Sequence, residues 1–483
     1  MKIINASKSD ILKCHNMSLE LIFKKSLQKK KYFYNEKRMD SNAIQWELFF
    51  KKTSSLLKRV WIFLLFQDLI AYNFRNKTPI VGKGIKYTDE IVILLCLVLL
   101  AIKKLSRREK LITTGSIELP LLLFIVVGLL SSIINKVPSF IALTQLYLIL
   151  KGFALFYIII NLGITKEGAN SYVRFFGVVA LIIFALGIVD FISPSWFRTL
   201  LGNRTYIQLR GGLPSVQSIF IHPGQFGWFM AFAALYAFAF YLIYGRFHFL
   251  MIGGLFSLGY ILSFRRKPIG GIAIALLTLL LLNVKRGFIN RKRFASVILL
   301  TVILYIPFSP ILSSLYQSSI EEYSLSKRSA RIALYLTSVI IANDYFPLGA
   351  GLGRYGSWMS RVHYSPLYHK YGLSHIWGLS PKKRSFINDT FWPMILGETG
   401  WIGLALYLWI MGILFYIIYK LNKEATSKFT KAFSLGALMV FVESLVESLG
   451  CSFYAAPPQV YFLFGSLGLA FAISQSKIQE QKA

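Results

Sequence analysis

Residues 88–110 read TDEIVILLCLVLLAIKKLSRREK: an acidic pair, an uncharged apolar run from 91 to 102, then a basic cluster. With its flanks the run forms the stretch 88–105, near the length an α-helix needs to cross about 30 Å of hydrocarbon, and the cluster that ends it is what the positive-inside rule expects of a cytoplasmic loop. The rest of the chain repeats this pattern. Its 483 residues are 55% hydrophobic and 16% charged, with mean hydropathy +0.56, too apolar for a soluble domain of this size. Lysine and arginine number 54 against 21 acids, a formal charge of +33. Because the basic residues fall in short clusters between apolar runs, they argue for membrane topology and against nucleic-acid binding. Cys14, Cys96 and Cys451 are scattered, without metal-ligand or disulfide spacing.

Working outward from 88–110, apolar stretches near 60–74, 88–105, 116–134, 140–161, 172–192, 216–244, 247–264, 268–284, 294–309, 391–419, 428–449 and 457–474 predict about twelve membrane helices. The lysine-rich segment 1–58 has no apolar core followed by a small-residue cleavage site, so it reads as a cytoplasmic extension rather than a signal peptide. It either touches anionic lipid or is a solvated tail, with Met39 as an alternative start. Alternation from there places KKLSRREK (103–110), KRGFINRKR (285–293) and Lys420, Lys423, Lys428 and Lys431 in the cytoplasm, with both termini inside. The expected organisation is a basic extension (1–58), nine spans (59–309), a long extracytoplasmic loop (310–390), three spans (391–474) and a cytoplasmic tail (475–483).

Two basic groups break the charge rule under this topology. Arg265, Arg266 and Lys267 sit in a tight outer turn, and the 310–390 segment carries Lys327, Arg328, Arg331, Arg354, Arg361, Lys370, Lys382, Lys383 and Arg384. Outside the membrane such charges call for an anionic partner. The loop's tyrosines, glycines and histidines (His363, His369, His375) suit a folded domain better than a linker. Five acids inside spans, Asp68, Asp190, Glu398, Glu443 and Glu447, all fall in the outer half, which suggests an outward-opening polar cavity with some of them pairing to Arg265, Arg266 or Arg331. Lys151, near mid-membrane, reads as a helix-bundle ion pair, and Arg361 and Lys370 as solvated loop charges.

Gly351, Gly353 and Gly356 spell GxGxxG, but no strand precedes them, no helix opens on the last glycine, and no acid stands about twenty residues on. A dinucleotide site is excluded. The glycines serve either to bring backbone amides or Arg354 close to a ligand, or to make a packed turn.

The runs ARIALYLTSVIIANDYFPLGAGLGRYGSW (330–358) and FINDTFWPMILGETGWIGLALYLW (386–409) carry, in order, Arg331, a Pro-Leu-Gly-x-Gly-x-Gly turn, Asn388 and Glu-x-Gly-x-x-Gly. Upstream stand SIFIHPGQFGWFMAF (218–232) and LSFRRKPIGG (262–271). Over roughly residues 85–475 this order resembles the O-antigen ligase and polymerase family of bacterial envelope glycosyltransferases. The resemblance implies an all-α, GT-C-like bundle and a metal-independent, cofactor-free transferase at the outer face of the bacterial inner (plasma) membrane. It further implies an undecaprenyl-diphosphate-linked oligosaccharide as donor, with membrane lipids, a flippase and a chain-length regulator as partners.

Residue chemistry fits that expectation. Guanidinium groups of Arg265, Arg266, Arg331 and Arg354 would bind the leaving diphosphate, with Arg210, His222 and Asn388 as further contacts. The base that takes the acceptor proton lies among Asp389, His375, His363 and Glu398. Ligases of the family commonly show His-Asn where this chain has Ile387 and Asn388, which favours a polysaccharide polymerase over an O-antigen ligase; a lipid-linked sugar transporter would instead show broken helices and internal repeats. Asp89 and Glu90 at an outer helix mouth could mimic the acidic metal pair of another lipid-carrier class, but read better as a helix N-terminal charge.

Overall fold

The computed structural model describes residues 59–75, 78–106, 108, 116–202, 206–286, 289–314, 317 and 329–480. The chain divides into Met1–Val60 and Trp61–Ala483, and the second unit is the helical bundle. The extension 1–58, Cys14, Lys327 and Arg328 lie outside the described residues.

The helices are α1 (61–75), α2 (Pro79–Lys86), α3 (Thr88–Ser106), α4 (Glu118–Ile134), α5 (Ser139–Ile160), α6 (Lys166–Ile192) and α7 (Pro194–Leu200). A two-residue ladder follows, β1 (Leu209–Arg210) with β2 (Leu213–Pro214). Then come α8 (Pro223–Tyr244), α9 (Phe247–Leu262), α10 (Arg266–Arg286), α11 (Arg291–Tyr305), α12 (Ala330–Asp344), α13 (Trp358–His363), α14 (Leu367–Lys370), α15 (Trp392–Glu424), α16 (Lys428–Glu447) and α17 (Gln459–Glu480). Local chemistry starts many of them. Thr165, Asn290, Ser329 and Ser427 accept first-turn amides as N-caps, and Pro79, Pro194 and Pro223 occupy N1, where a missing N–H costs nothing.

Among the described residues six helices are long and apolar enough to cross a membrane: α5, α6, α8, the extended α11 (Arg291–Ser314), α15 and α16; α4, α9 and Gln459–Ser474 are shorter apolar helices. The protein is an all-α, multi-pass helical bundle. Its packing orders these helices from centre to edge. α8 and α16 are 78% and 83% buried over their most apolar 18 residues, and pack on one another and on α9 and α10; α6 and the extended α11 are only 22% and 11% buried. Side chains such as Ile133, Ile134 and Leu119 stand outward, a coat that suits lipid and would aggregate in water.

Two expectations change. The stretch 216–244 is helical only from Pro223, although Val216, Ile219 and Phe220 are fully buried. Its irregular backbone survives because the protein supplies partners. Asp190 Oδ2 accepts the N–H groups of Gln217 and Ser218 at 2.8 and 3.1 Å, Arg198 donates to the Ser215 carbonyl, and Val216 donates to the Leu262 carbonyl. The second change is in α15, whose backbone leaves helical geometry at Gly400 (φ 65°, ψ −168°), a region essentially restricted to glycine.

The 347–353 turn fills that break. Ala350 and Gly351 donate to the carbonyls of Gly397 and Glu398, while Ser131 Oγ of α4 donates to the carbonyls of Gly349 and Glu398. A Cβ on Gly349 or Gly400 would overlap the other strand's backbone. From α12 onward the chain builds a lobe over this stitch, with Leu334, Ile341, Tyr355, Tyr368, Leu379 and Ile387 among its buried core.

Candidate functional site

Beneath the lobe lies a cavity of about 1000 Å³. The β1–β2 hairpin brings Arg210, the N-terminus of α8 brings His222 and Gln225, and the turn before α10 brings Arg265, with Arg266 and Lys267 opening that helix. Arg331 comes from the first turn of α12, Trp358 and Arg361 from α13, Asn388 and Asp389 from the turn before α15, and Glu447 from the end of α16. Eight basic side chains line the cavity against four carboxylates, Asp68, Glu90, Asp389 and Glu447. Basic residues at the start of α10 oppose the helix dipole, and that helix has no acid in its first turn to offset them.

Arg265 sits among like charges. Its Nη2 donates to Gln208 Oε1, its Nε is buried with no hydrogen-bond partner among the described residues, and burial together with Arg210, Arg266 and Arg331 lowers its pKa to about 10. It remains a cation at neutral pH. Arg331 donates Nε and Nη2 to Asp389 Oδ2 at 2.8 and 2.5 Å. Lys267 Nζ donates to the Gly450 carbonyl at 2.6 Å, and Gln225 Nε2 to Asp68 Oδ2 at 2.7 Å. His222 opens into the cavity, caps α8 through Nδ1 (2.9 Å from the Gly224 nitrogen), and has its pKa lowered to about 3 by desolvation and by Arg265 and Lys267. With Nδ1 accepting, the neutral ring carries its proton on Nε2 and presents a donor.

Seven of the residues singled out in the sequence thus line one cavity: Arg210, His222, Arg265, Arg266, Arg331, Asn388 and Asp389. Four others lie elsewhere. His363 and His375 are exposed on the lobe, and Arg354 donates to the Asn135 carbonyl at the bundle edge. Glu398 is fully buried; its Oε1 accepts the Tyr355 N–H at 3.0 Å, and the amides of Gly353 and Arg354 and the Ser357 hydroxyl stand around the same carboxylate. The glycine loop's amides therefore turn toward a protein carboxylate, and the loop is a packed turn.

The five span acids divide by role. Asp68 and Glu447 face the cavity. Asp190 pairs with Arg198 at 2.8 Å rather than with a cavity arginine, and Glu443, one turn below Glu447, is buried with neither oxygen hydrogen-bonded. Lys151 is the ion pair expected of it, 2.8 Å from Glu90 and 3.8 Å from Asp89. Gln67 donates to Asp89 Oδ1 and Tyr461 to Asp89 Oδ2, so the acidic pair at the start of α3 is engaged by protein groups. Among the described residues no cluster of three or more His, Cys, Asp or Glu is arranged to hold a metal ion.

Arg361 corrects its reading as a solvated charge. It lines the cavity, donates to Asn388 Oδ1 at 3.2 Å, and lies 5.5 Å from the Trp358 ring centroid; Lys86 Nζ stands 4.1 Å from the same ring. The sequence signal was the Trp358–Arg361 spacing of three on a short helix, which places both on one face. Lys370 is exposed over Tyr345 and Tyr371, a surface charge.

Compared with known proteins, the chain matches no protein-family model and no curated protein. Chemically, the cavity gathers several guanidinium groups, and one of its four carboxylates, Asp389, is tied to a guanidinium. Guanidinium groups gathered in this way have the chemistry to bind a multiply charged oxyanion.

Proposed function

We propose that this protein is a polysaccharide polymerase of the bacterial inner membrane, transferring an undecaprenyl-diphosphate-linked glycan to an acceptor sugar hydroxyl at the outer face. One observation carries the reading: Arg210, Arg265, Arg266 and Arg331 crowd together in a single cavity, with Arg361 on its wall. Mutual repulsion and the unpartnered Nε of Arg265 are relieved when a diphosphate takes two-point hydrogen bonds from the guanidiniums. In the reaction, the acceptor oxygen bonds to the anomeric carbon and the bond from that carbon to the phosphate oxygen breaks. The electron pair leaves with the diphosphate, where the arginines stabilise it, and the hydroxyl proton passes to Asp389. In this reading twelve spans cross the membrane, both termini are cytoplasmic, and the lobe is extracytoplasmic.

Ile387 supports polymerase over ligase. It is fully buried in the lobe core, so the position where ligases of the resembled family commonly carry histidine does not reach the cavity. A transporter would use a broken helix to line a central site. The break at Gly400 is instead filled by the 347–353 turn.

Binding of farnesyl diphosphate to the purified protein in nanodiscs tests the reading. The expected result is saturable binding, far weaker for farnesol, lost in Arg265→Gln. Equal affinity for farnesol, or full binding by the variant, would remove the diphosphate site.

A further inference from the structure

A smaller chamber of about 330 Å³ adjoins the cavity. Both are lined by Arg331, Phe386 and Asp389, so they meet at the ion pair. Their characters differ. The large chamber is crowded with cations, whereas among the described residues lining the small one Arg331 is the single cation, and Ile376, Trp377 and Phe386 supply an apolar wall.

Trp377 is unusual in this setting. Its indole is 63% exposed, on the lobe and off every membrane-crossing helix, so it adds little to the lobe's core. Yet it is fixed in place: its ring lies 5.2 Å from Phe386 at an interplanar angle of 60°, Lys383 Nζ stands 4.2 Å from its centroid, and the Phe386 N–H donates to the Gly378 carbonyl at 2.9 Å, closing the loop that holds both rings. A rigid exposed indole beside a carboxylate and a guanidinium matches a molecule with one apolar face and an edge of hydroxyls. A pyranose ring is such a molecule. Its C–H face lies on the aromatic wall, and its hydroxyl edge finds an acceptor in Asp389 and a donor in Arg331.

We infer that the small chamber is the acceptor-sugar subsite, with Trp377 its stacking platform. The inference rests on the transferase reading: it places donor diphosphate and acceptor ring on opposite sides of Asp389, the group that takes the proton. A transferase needs two substrates brought to one acid–base group, and two chambers that share only a few residues provide that geometry.

The test uses the full-length protein in nanodiscs and two probes, farnesyl diphosphate and a panel of short oligosaccharides carrying common hexoses and N-acetylhexosamines. Trp377→Ala is expected to weaken oligosaccharide binding about tenfold while farnesyl diphosphate binds as before. Trp377→Tyr, which keeps an aromatic face, is expected to retain most of the affinity, and Trp377→Leu to lose it. If no oligosaccharide binds the parent protein, or if Trp377→Ala binds as well as the parent, the subsite is overturned and the indole is an interfacial aromatic. Farnesyl diphosphate binding that persists in that case leaves the diphosphate reading standing. Its absence from the parent protein would overturn both.

Discussion

Arg331 places two nitrogens on one oxygen of Asp389, Nε at 2.8 Å and Nη2 at 2.5 Å from Oδ2, with the side chains 20% and 25% exposed. The pair is three-quarters or more buried and stands where the two chambers meet. Arg331→Lys keeps the charge but loses the planar fork, and is expected to cut transfer on the order of a hundred- to a thousandfold. Asp389→Asn, which under the proposed mechanism removes the proton acceptor, is expected to fall in the same range. Polymer amount and length in a complemented deletion strain measure both, with membrane levels near normal. Wild-type polymer from either variant would remove the pair from the reaction.

Arg361 gives a contrast within one loop. Because it lines the cavity and donates to Asn388, Arg361→Ala is expected to weaken farnesyl diphosphate binding about tenfold, one charge-assisted contact's worth. Lys370→Ala, on the exposed surface, is expected to bind as the parent does. Titration of both variants by calorimetry separates the two.

Gly400 tests the stitch between turn and helix. Alanine there combines a glycine-only backbone region with overlap on the Pro347 carbonyl oxygen, for a cost of about 2–4 kcal/mol. A lower thermal unfolding midpoint in detergent is expected, whereas Gly412→Ala on the same helix, with open space at its Cβ, should unfold as the parent.

His222 fixes a pH dependence. Its folded pKa, about 3, lies below the usual value of about 6.5, so between these pH values the unfolded chain binds a proton that the folded protein refuses. Above pH 6.5 the residue leaves stability unchanged. As pH falls from 6.5 toward 3 it lowers stability progressively, and His222→Gln is expected to flatten that part of the curve. Ring carbon chemical shifts of labelled His222 should stay those of a neutral imidazole from pH 8 to pH 5; a titration in that range would contradict the assignment.

Orientation is open to direct labelling. A cysteine at Lys382, exposed on the lobe, is expected to react with a membrane-impermeant thiol reagent in intact cells, and protection until lysis would invert the topology. Ser357 is unsuited to this purpose, being buried in the capping box that starts α13.

The membrane class was legible because apolar runs of crossing length are decided by composition alone. Arg265, Arg266 and Arg331 were legible for a second reason: under strict alternation of spans they fall where charge bias disfavours them, and the structure brings all three to one cavity. Other features depended on contacts that no local pattern encodes. The run 216–222 is apolar enough to read as the start of a span, and distant partners, the Asp190 carboxylate 27 residues before Gln217 and the Leu262 carbonyl beyond it, make its irregular path tolerable. Arg361 looks like any loop cation until α13 sets it on the Trp358 ring, which Lys86 also approaches. Glu398 carried the right residue type for a base, yet burial beneath the glycine turn makes it a clasp for backbone amides. His363 and His375 were chosen by residue type, and the lobe turns both away.

The turn seated in the break of α15 also limits how the lobe moves. With Ala350 and Gly351 bonded to helix carbonyls and Gly349 held by Ser131 and Asn135, the lobe is riveted to the bundle at its base and has no hinge there. It cannot swing away as a lid. Under the proposed function, loading of a long lipid-linked substrate would then come from the side, between helices, so cross-links that seam neighbouring helices beside the cavity are expected to block it, while cross-links between lobe and bundle are expected to leave it open.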